Sequence, residues 1–187
     1  MQDKILELLE SRKLSELKVL LSEENPADIV SYLENIPNNE LIIVFRILPK
    51  ELAAETFVEM DSDMQMLLIS SFSDKELRDV LSELFVDDAV DIIEEMPASV
   101  AKRILRQADA QTRKDINLIL AYPDDSAGSI MTTEYIALKR DMTVSEAFQK
   151  IRNVGLDKET IYTCYVTDSR RRLIGVVTAK DISDFVK

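Results

Sequence analysis

Every twelfth residue from Ile36 is apolar: Ile36, Leu48, Met60, Phe72, Leu84, Met96, Ala108 and Leu120. Three positions before each stand Leu33, Phe45, Phe57, Ile69, Leu81, Ile93 and Leu105, with Asn117 the exception. One position earlier again come Tyr32, Val44, Leu68, Val80, Ile92, Ile104 and Ile116, with Thr56 the exception. Ile29 and Leu41 extend the set back by three. Apolar positions at i, i+3, i+4 and i+7 form the stripe of an amphipathic helix. The residue after a beat is often a breaker or a cap: Pro37, Pro49, Asp61, Ser73, Pro97 and Asp109. Proline suits a first helical turn, and Asp or Ser suits an N-cap. The pattern therefore predicts helices of two to three turns separated by tight turns. Helices this short are marginal alone and must stack on their neighbours, as in a helical solenoid. Residues 1–22, with Ile5, Leu6, Leu9, Leu14, Leu17, Leu20 and Leu21, predict one or two capping helices ahead of the repeat.

The beat stops at LAYPDDSAGSIMTTEYIAL, residues 120–138. Beyond it the period changes. Tyr135 to Leu138 reads as a strand. Thr143 and Glu146 form a capping box ahead of an amphipathic helix from Val144 to Val154, and Gly155 closes it as a C′ residue. Thr160 to Thr167 and Leu173 to Thr178 read as strands around the polar turn Asp168 to Arg172, and a helix is expected from Thr178 to Phe185. The expected class is α followed by α/β. Residues 1–121 form an acidic helical repeat, 122–134 a joint, and 135–187 a β-α-β-β-α unit that is cut off at the chain end.

Charge sharpens the division. The chain carries a net charge of −12. All of it falls in residues 1–121, with 25 Asp and Glu against 13 Lys and Arg; residues 122–187 hold 10 of each. Such a surface repels nucleic acid and anionic headgroups and attracts cations or basic partners. From Asp79 to Ala101 there is no Lys or Arg, while Asp79, Glu83, Asp87, Asp91 and Glu95 recur at steps of four. On a helix starting near Asp87, the last three share a face, and like charges at i,i+4 repel. Asp87 and Asp88 also sit where a helix N-terminus favours negative charge, so the plain reading of the stripe is a capped, solvated face, and the sharper one a surface that lacks its counter-ion. If the stripe has a counter-ion, carboxylates without imidazole or thiolate select a hard cation such as Mg²⁺ or Ca²⁺. PDDSAGSIMTTE departs from the EF-hand loop pattern. Glu55, Asp79 and Asp91 share one column of the repeat, which suggests that they face similar directions.

Composition removes other classes. With no His and the single Cys164, a zinc site and an internal disulfide are both ruled out, and Cys164 reads as strand packing. No apolar run is long enough to span a bilayer, and no signal-peptide pattern opens the chain. No nucleophile with a histidine base and no phosphate-cradling glycine loop is present, which argues against an enzyme.

AYPDDSAGSIMT resembles the YP-x-x-[ST]-A-G-x-x-M-T segment of the MgtE-type magnesium channels, and VDDAVDIIEEMP resembles their acidic D-D-x-x-D unit. LIGVVTAKDI, residues 173–182, resembles the closing strand-to-helix segment of a CBS repeat. The resemblance implies a homodimeric parent with a right-handed helical superhelix, two CBS repeats, a connecting helix and a membrane pore. This chain would supply the superhelix and the first CBS repeat on the cytosolic face of the membrane, without inserting into it. The second repeat and pore would be its missing partners. It also implies that Mg²⁺ bridges acidic surfaces and favours the closed pore, while the joint lets the superhelix swing. By position, Glu55, Asp87 and Asp91 match the carboxylates that face such ions. Gly128 matches a joint glycine whose carbonyl helps to coordinate; its plainer role is to supply an unusual backbone angle. Thr178 and Asp181 match positions that touch the ribose and phosphates of ATP or another adenine nucleotide, though a helix cap accounts for both. Arg170, Arg171 and Arg172 suit either phosphate or a polar hairpin tip. Two alternatives to Mg²⁺ sensing stay open: a docking solenoid for a basic protein, like the helical repeats of bacterial motor switch proteins, and nucleotide sensing through the CBS half.

Overall fold

The computed structural model describes residues 1–155 and 158–184. The chain divides into two compact units, Met1–Pro123 and Asp124–Lys187.

The first unit is ten short helices: α1 (Gln2–Glu10), α2 (Leu14–Leu21), α3 (Pro26–Leu33), α4 (Asn38–Ile47), α5 (Lys50–Val58), α6 (Ser62–Ser71), α7 (Asp74–Leu81), α8 (Val86–Glu95), α9 (Ala98–Gln107) and α10 (Ala110–Ile119). Their N-caps fall at Met1, Lys13, Asn25, Pro37, Pro49, Asp61, Ser73, Phe85, Pro97 and Asp109, one every twelve residues without a slip. The first two helices are thus full members of the repeat rather than separate caps. The column that ends each beat hides this, because Arg12 and Glu24 stand where later units carry an apolar residue. Pro37, Pro49 and Pro97 occupy the N-cap itself rather than the first turn; Pro26 alone is at the first helical position. An N-cap has extended backbone and needs no N–H for the helix, so proline fits there too.

From α2 onward each helix packs on the one two places along, while α1 packs mainly on α2. The pairs α3 with α5, α5 with α7 and α7 with α9 build one rank, and α2, α4, α6, α8 and α10 build the other. The predicted columns form the core. Leu33, Phe45, Phe57, Ile69, Leu81 and Ile93 are buried, as are Val44, Leu68, Ile92, Ile104 and Ile116. Full burial of one such side chain contributes about 1.5–3 kcal/mol. Phe45, Phe57 and Phe72 meet with ring centroids 5.5–6.4 Å apart. Three polar residues enter the core with their bonds made; Gln107 Oε1 accepts from Arg78 Nη1 at 2.5 Å. Thr56 Oγ1 donates to Leu52 O at 2.6 Å, and Gln65 Nε2 donates to Phe57 O at 2.9 Å.

Glycine is absent before position 128, so no helix of this unit ends in a left-handed glycine cap. Leu48, Phe72, Met96 and Ala108 turn extended and lead straight into the next N-cap. Arginines from elsewhere take up carbonyls left over at several helix ends. Arg103 donates to Ile69 O and Phe72 O and pairs with Asp74 at 3.2 Å. Arg46 donates to Ser71 O and pairs with Glu76 at 2.8 Å. Arg113 reaches Leu105 O and Ala108 O at 2.6 and 2.7 Å. A cation at a helix C-terminus also matches the helix dipole.

In the second unit, β1 (Ile136–Lys139), α11 (Val144–Val154), β2 (Thr163–Thr167), β3 (Leu173–Thr178) and α12 (Ala179–Asp184) follow the expected order. The sheet runs β1-β2-β3; β1 is parallel to β2, and β2 is antiparallel to β3. The strand expected from Thr160 starts at Thr163, because Thr160 Oγ1 accepts from Tyr162 N in a turn. The expected end of the last helix at Phe185 lies outside the described residues. Ile136, Leu138, Ala147, Ile151, Cys164 and Ile182 form the core. Cys164 is buried there, and that burial raises its thiol pKa. The Thr143–Glu146 capping box is present with both bonds.

Neither expected use of glycine handedness holds. Gly155 caps α11 in the right-handed region, at φ −67°. Its need is spatial: a Cβ would meet Ile161 Cγ2 at 2.9 Å. Gly128 has no positive φ either; in the joint that conformation belongs to Asp125, at φ 59°.

Replacing Arg103 by Ala leaves the Ile69 and Phe72 carbonyls without their charged donor. We expect a loss of about 1.5–3 kcal/mol, the usual worth of a hydrogen bond to a charged group. Chemical denaturation would read it as a lower midpoint at an unchanged slope.

Candidate metal and nucleotide sites

The acidic stripe divides between two helices and a turn. Asp79 is on α7, Glu83 follows that helix, and Asp87, Asp91 and Glu95 are on α8. Helix α8 starts one residue before Asp87, so Asp87 and Asp88 lie in its first turn, where the dipole stabilises them. Asp87 is half-buried, with Oδ1 screened from solvent, and Asp91, one turn on, is exposed.

The stripe is not uniformly free of cations. Lys50 Nζ lies 3.9 Å from Asp79 Oδ1, although 29 residues separate them. Stacking by alternate helices creates such pairs. Arg12–Glu40, Arg46–Glu76, Lys50–Asp79 and Arg103–Asp74 all join residues 28–30 apart. At those separations from Asp91 stand Asp61, Ser62, Asp63, Ile119, Leu120 and Ala121, with no cation among them. Around Glu55 they are Asn25, Pro26, Ala27, Glu83, Leu84 and Phe85. Among the described residues, no side-chain hydrogen bond or ion pair engages Glu55 or Asp91, and both are exposed. Alternate stacking also corrects the expectation that one repeat column faces one way. Glu55 on α5 and Asp79 on α7 share a rank, whereas Asp91 on α8 is in the other. Gly128, the fourth expected ligand, is in the second unit.

Among the described residues, no three carboxylate or thiol side chains converge as a cage for a bare ion. The chemistry of Asp91 and Asp87 fits a different ligand set. Mg²⁺ keeps most of its waters and needs only one or two carboxylates.

At the far end of the sheet, Thr178 caps α12. Its Oγ1 accepts from Asp181 N at 3.1 Å, and Asp181 Oδ2 accepts from Thr178 Oγ1 and N at 2.6 and 2.9 Å. The Thr178 side chain and then its backbone N–H hold the Asp181 pKa below its ordinary value. A neighbour escaped the sequence reading. Ala179 N donates to Tyr162 O at 3.0 Å, so Tyr162 sits beside this cap, and its side chain is 77% exposed. A free aromatic ring beside a Thr-Asp pair provides a stacking face next to polar groups. The signal lay in the strand boundary: with β2 starting at Thr163, Tyr162 belongs to the turn rather than the sheet.

An acidic solenoid of short helices followed by a β-α-β-β-α unit defines a helical-repeat and CBS class, and comparison with known proteins agrees. Residues 24–125 match the profile of the MgtE intracellular N domain, and residues 127–187 that of the CBS domain. The chain belongs to the MgtE family. It is 32% identical over 180 residues to the magnesium transporter MgtE of Thermus thermophilus, covering 94% of this chain and 40% of that protein. With the magnesium transporter MgtE of Bacillus subtilis it shares 23% over 179 residues, covering 96% of this chain and again 40% of the relative. The chain thus spans about two fifths of these relatives. Among solved structures it resembles the cytosolic domain of the Mg²⁺ channel MgtE in complex with ATP, at TM-score 0.91 and 30% identity, over 98% of this chain and 75% of that one. The soluble part of a magnesium transporter shares the fold at TM-score 0.85 and 24% identity, over 97% of this chain and 72% of that one.

If Asp91 is a solvated carboxylate free for a ligand, Asp91→Asn will leave the melting temperature without divalent ions unchanged or slightly raised, since it relieves repulsion from Asp87 and Glu95. Thermal scans in chelator test this; a marked drop would make Asp91 structural.

Proposed function

We propose that this chain is the cytosolic Mg²⁺-sensing region of a magnesium transporter or channel. Mg²⁺ collects on the acidic face of the solenoid, bridges acidic surfaces, and favours the closed state of a pore carried elsewhere in the protein. The observation that carries this is Asp91, an exposed carboxylate one helical turn from Asp87 with no cation at the stitching positions, in a chain of the MgtE family. Asp87 and Asp91, with Glu55 as a second locus, would hold a largely hydrated ion. The ion would supply positive charge where like charges otherwise repel; it acts on a gate only through different affinities for two arrangements.

The parent's further parts are the remaining partners. Ile174 and Val176 of β3 are exposed, apolar strand positions suited to cover by a second CBS-type repeat or by a homodimer mate. A basic docking protein is the rival ligand for the acidic face.

Mg²⁺ at ten times its dissociation constant should stabilise the folded chain by about 1.4 kcal/mol. Thermal scans at matched ionic strength should show a rise of a few degrees and slower proteolysis between residues 121 and 135. Asp87→Asn with Asp91→Asn should remove both effects. Identical curves with Mg²⁺ and with a compensating sodium salt would refute the proposal.

A nucleotide site is the second function we infer, on the exposed Tyr162 beside Thr178 and Asp181 and on the ATP complex of the related structure. Tyr162 would stack the base while the Thr178–Asp181 pair opens to the sugar. Tyr162→Ala should weaken ATP binding in calorimetry about 5- to 100-fold, the worth of one stacked base, while leaving the Mg²⁺ response intact. Unchanged ATP affinity would remove Tyr162 from the site.

A further inference from the structure

Five of the second unit's ten cations, Lys139, Arg140, Arg170, Arg171 and Arg172, meet at the end of the sheet opposite Thr178. Sequence does not show the convergence, since thirty positions separate the two groups. The register makes it: Lys139 pairs with Thr167, and Thr167 with Leu173. One step beyond, Arg140 continues from β1, and Asp168 N donates to Arg172 O across the hairpin. With strands about 4.8 Å apart, three rows span roughly 10 Å. The nearby acids are Asp141, Glu146 and Asp168. Glu146 is held in its capping box, and Asp168 accepts from Arg170 N, Arg172 N and Arg172 Nε. Asp168 is spent on folding the turn. Lys139, Arg140, Arg170 and Arg171 are exposed, and among the described residues no ion pair engages them. Arg171 at the tip has φ 62°, a conformation that favours Gly or Asn and is costly for arginine. A basic side chain is kept where backbone preference asks for another residue. Leu173, next to the tip, is 61% exposed.

We propose that this basic hairpin end rests on an anionic lipid surface. The proposal depends on the reading above that the chain is tethered to a membrane pore. The group is an exposed hairpin tip with an apolar residue at its base, which suits a broad array of headgroups. Adjacent basic residues strengthen binding to an anionic membrane surface roughly fivefold each. The solenoid's negative charge opposes this, so the contact must be short-ranged and sensitive to salt.

Flotation of the whole chain with phosphatidylcholine vesicles, with and without phosphatidylglycerol, tests it in 0.1 M salt. Binding should rise with the anionic fraction and disappear in 0.5 M salt. Arg171→Gly removes one cation and relieves the tip backbone. It should cut the partition coefficient about fivefold without lowering the melting temperature. Lys139→Gln with Arg140→Gln should cut it further. Equal binding to neutral vesicles, no binding to either, or an undiminished Arg171→Gly variant would overturn the proposal. Retention on poly-glutamate without vesicle binding would replace the lipid by an acidic protein. None of these results touches the Mg²⁺ stabilisation, which is measured without lipid.

Discussion

Beyond α1, the first unit depends on one packing rule: a helix of eight to ten residues is buried by the helix two places along. Alone, such helices would not hold their shape in water. Stacked, they bury the same four positions in the central units, from Leu41 to Phe72, and the N-caps stay in step from Met1 to Asp109. Adding or losing one residue would turn the following helices' apolar stripe by about 100° away from its partners.

The same rule sorts the charges. Stacking alternate helices brings residues 28–30 apart into reach, and the chain uses this for Arg46, Lys50 and Arg103. Two of these also bind carbonyls at helix ends that no glycine cap closes. These three cations are thus occupied inside the stack, while Glu55 and Asp91 are exposed with no cation at the matching separations. An unbalanced acidic face is the outcome of that allocation, and an unbalanced face is what a diffusible cation can read.

Much of the fold was legible because a period survives chance substitution. The columns from Ile36 onward and the caps at Asp61, Ser73 and Asp109 gave the helices, and the Thr143–Glu146 box gave the start of α11. The phase of α1 and α2 was hidden by two residues, Arg12 and Glu24. The candidate sites were less legible because their environment is made by stacking. Lys50 beside Asp79, and Asp91 in a different rank from Glu55, follow only from which helices touch. Glycine misled for another reason: at Gly155 the demand is the closeness of Ile161, which no local pattern encodes. Tyr162 was passed over because β-branched and aromatic neighbours extended the apparent strand past its true start.

The proposed sensing rests on uptake of Mg²⁺ by the α8 carboxylates. Manganese is a hard, oxygen-seeking stand-in with a large magnetic moment, so amide resonances near a bound ion broaden. Substoichiometric Mn²⁺ added to the isotopically labelled chain should first erase the amides from Asp87 to Glu95, and excess Mg²⁺ should restore them. Broadening confined to α1–α3, or broadening at α8 that Mg²⁺ does not reverse, would contradict it.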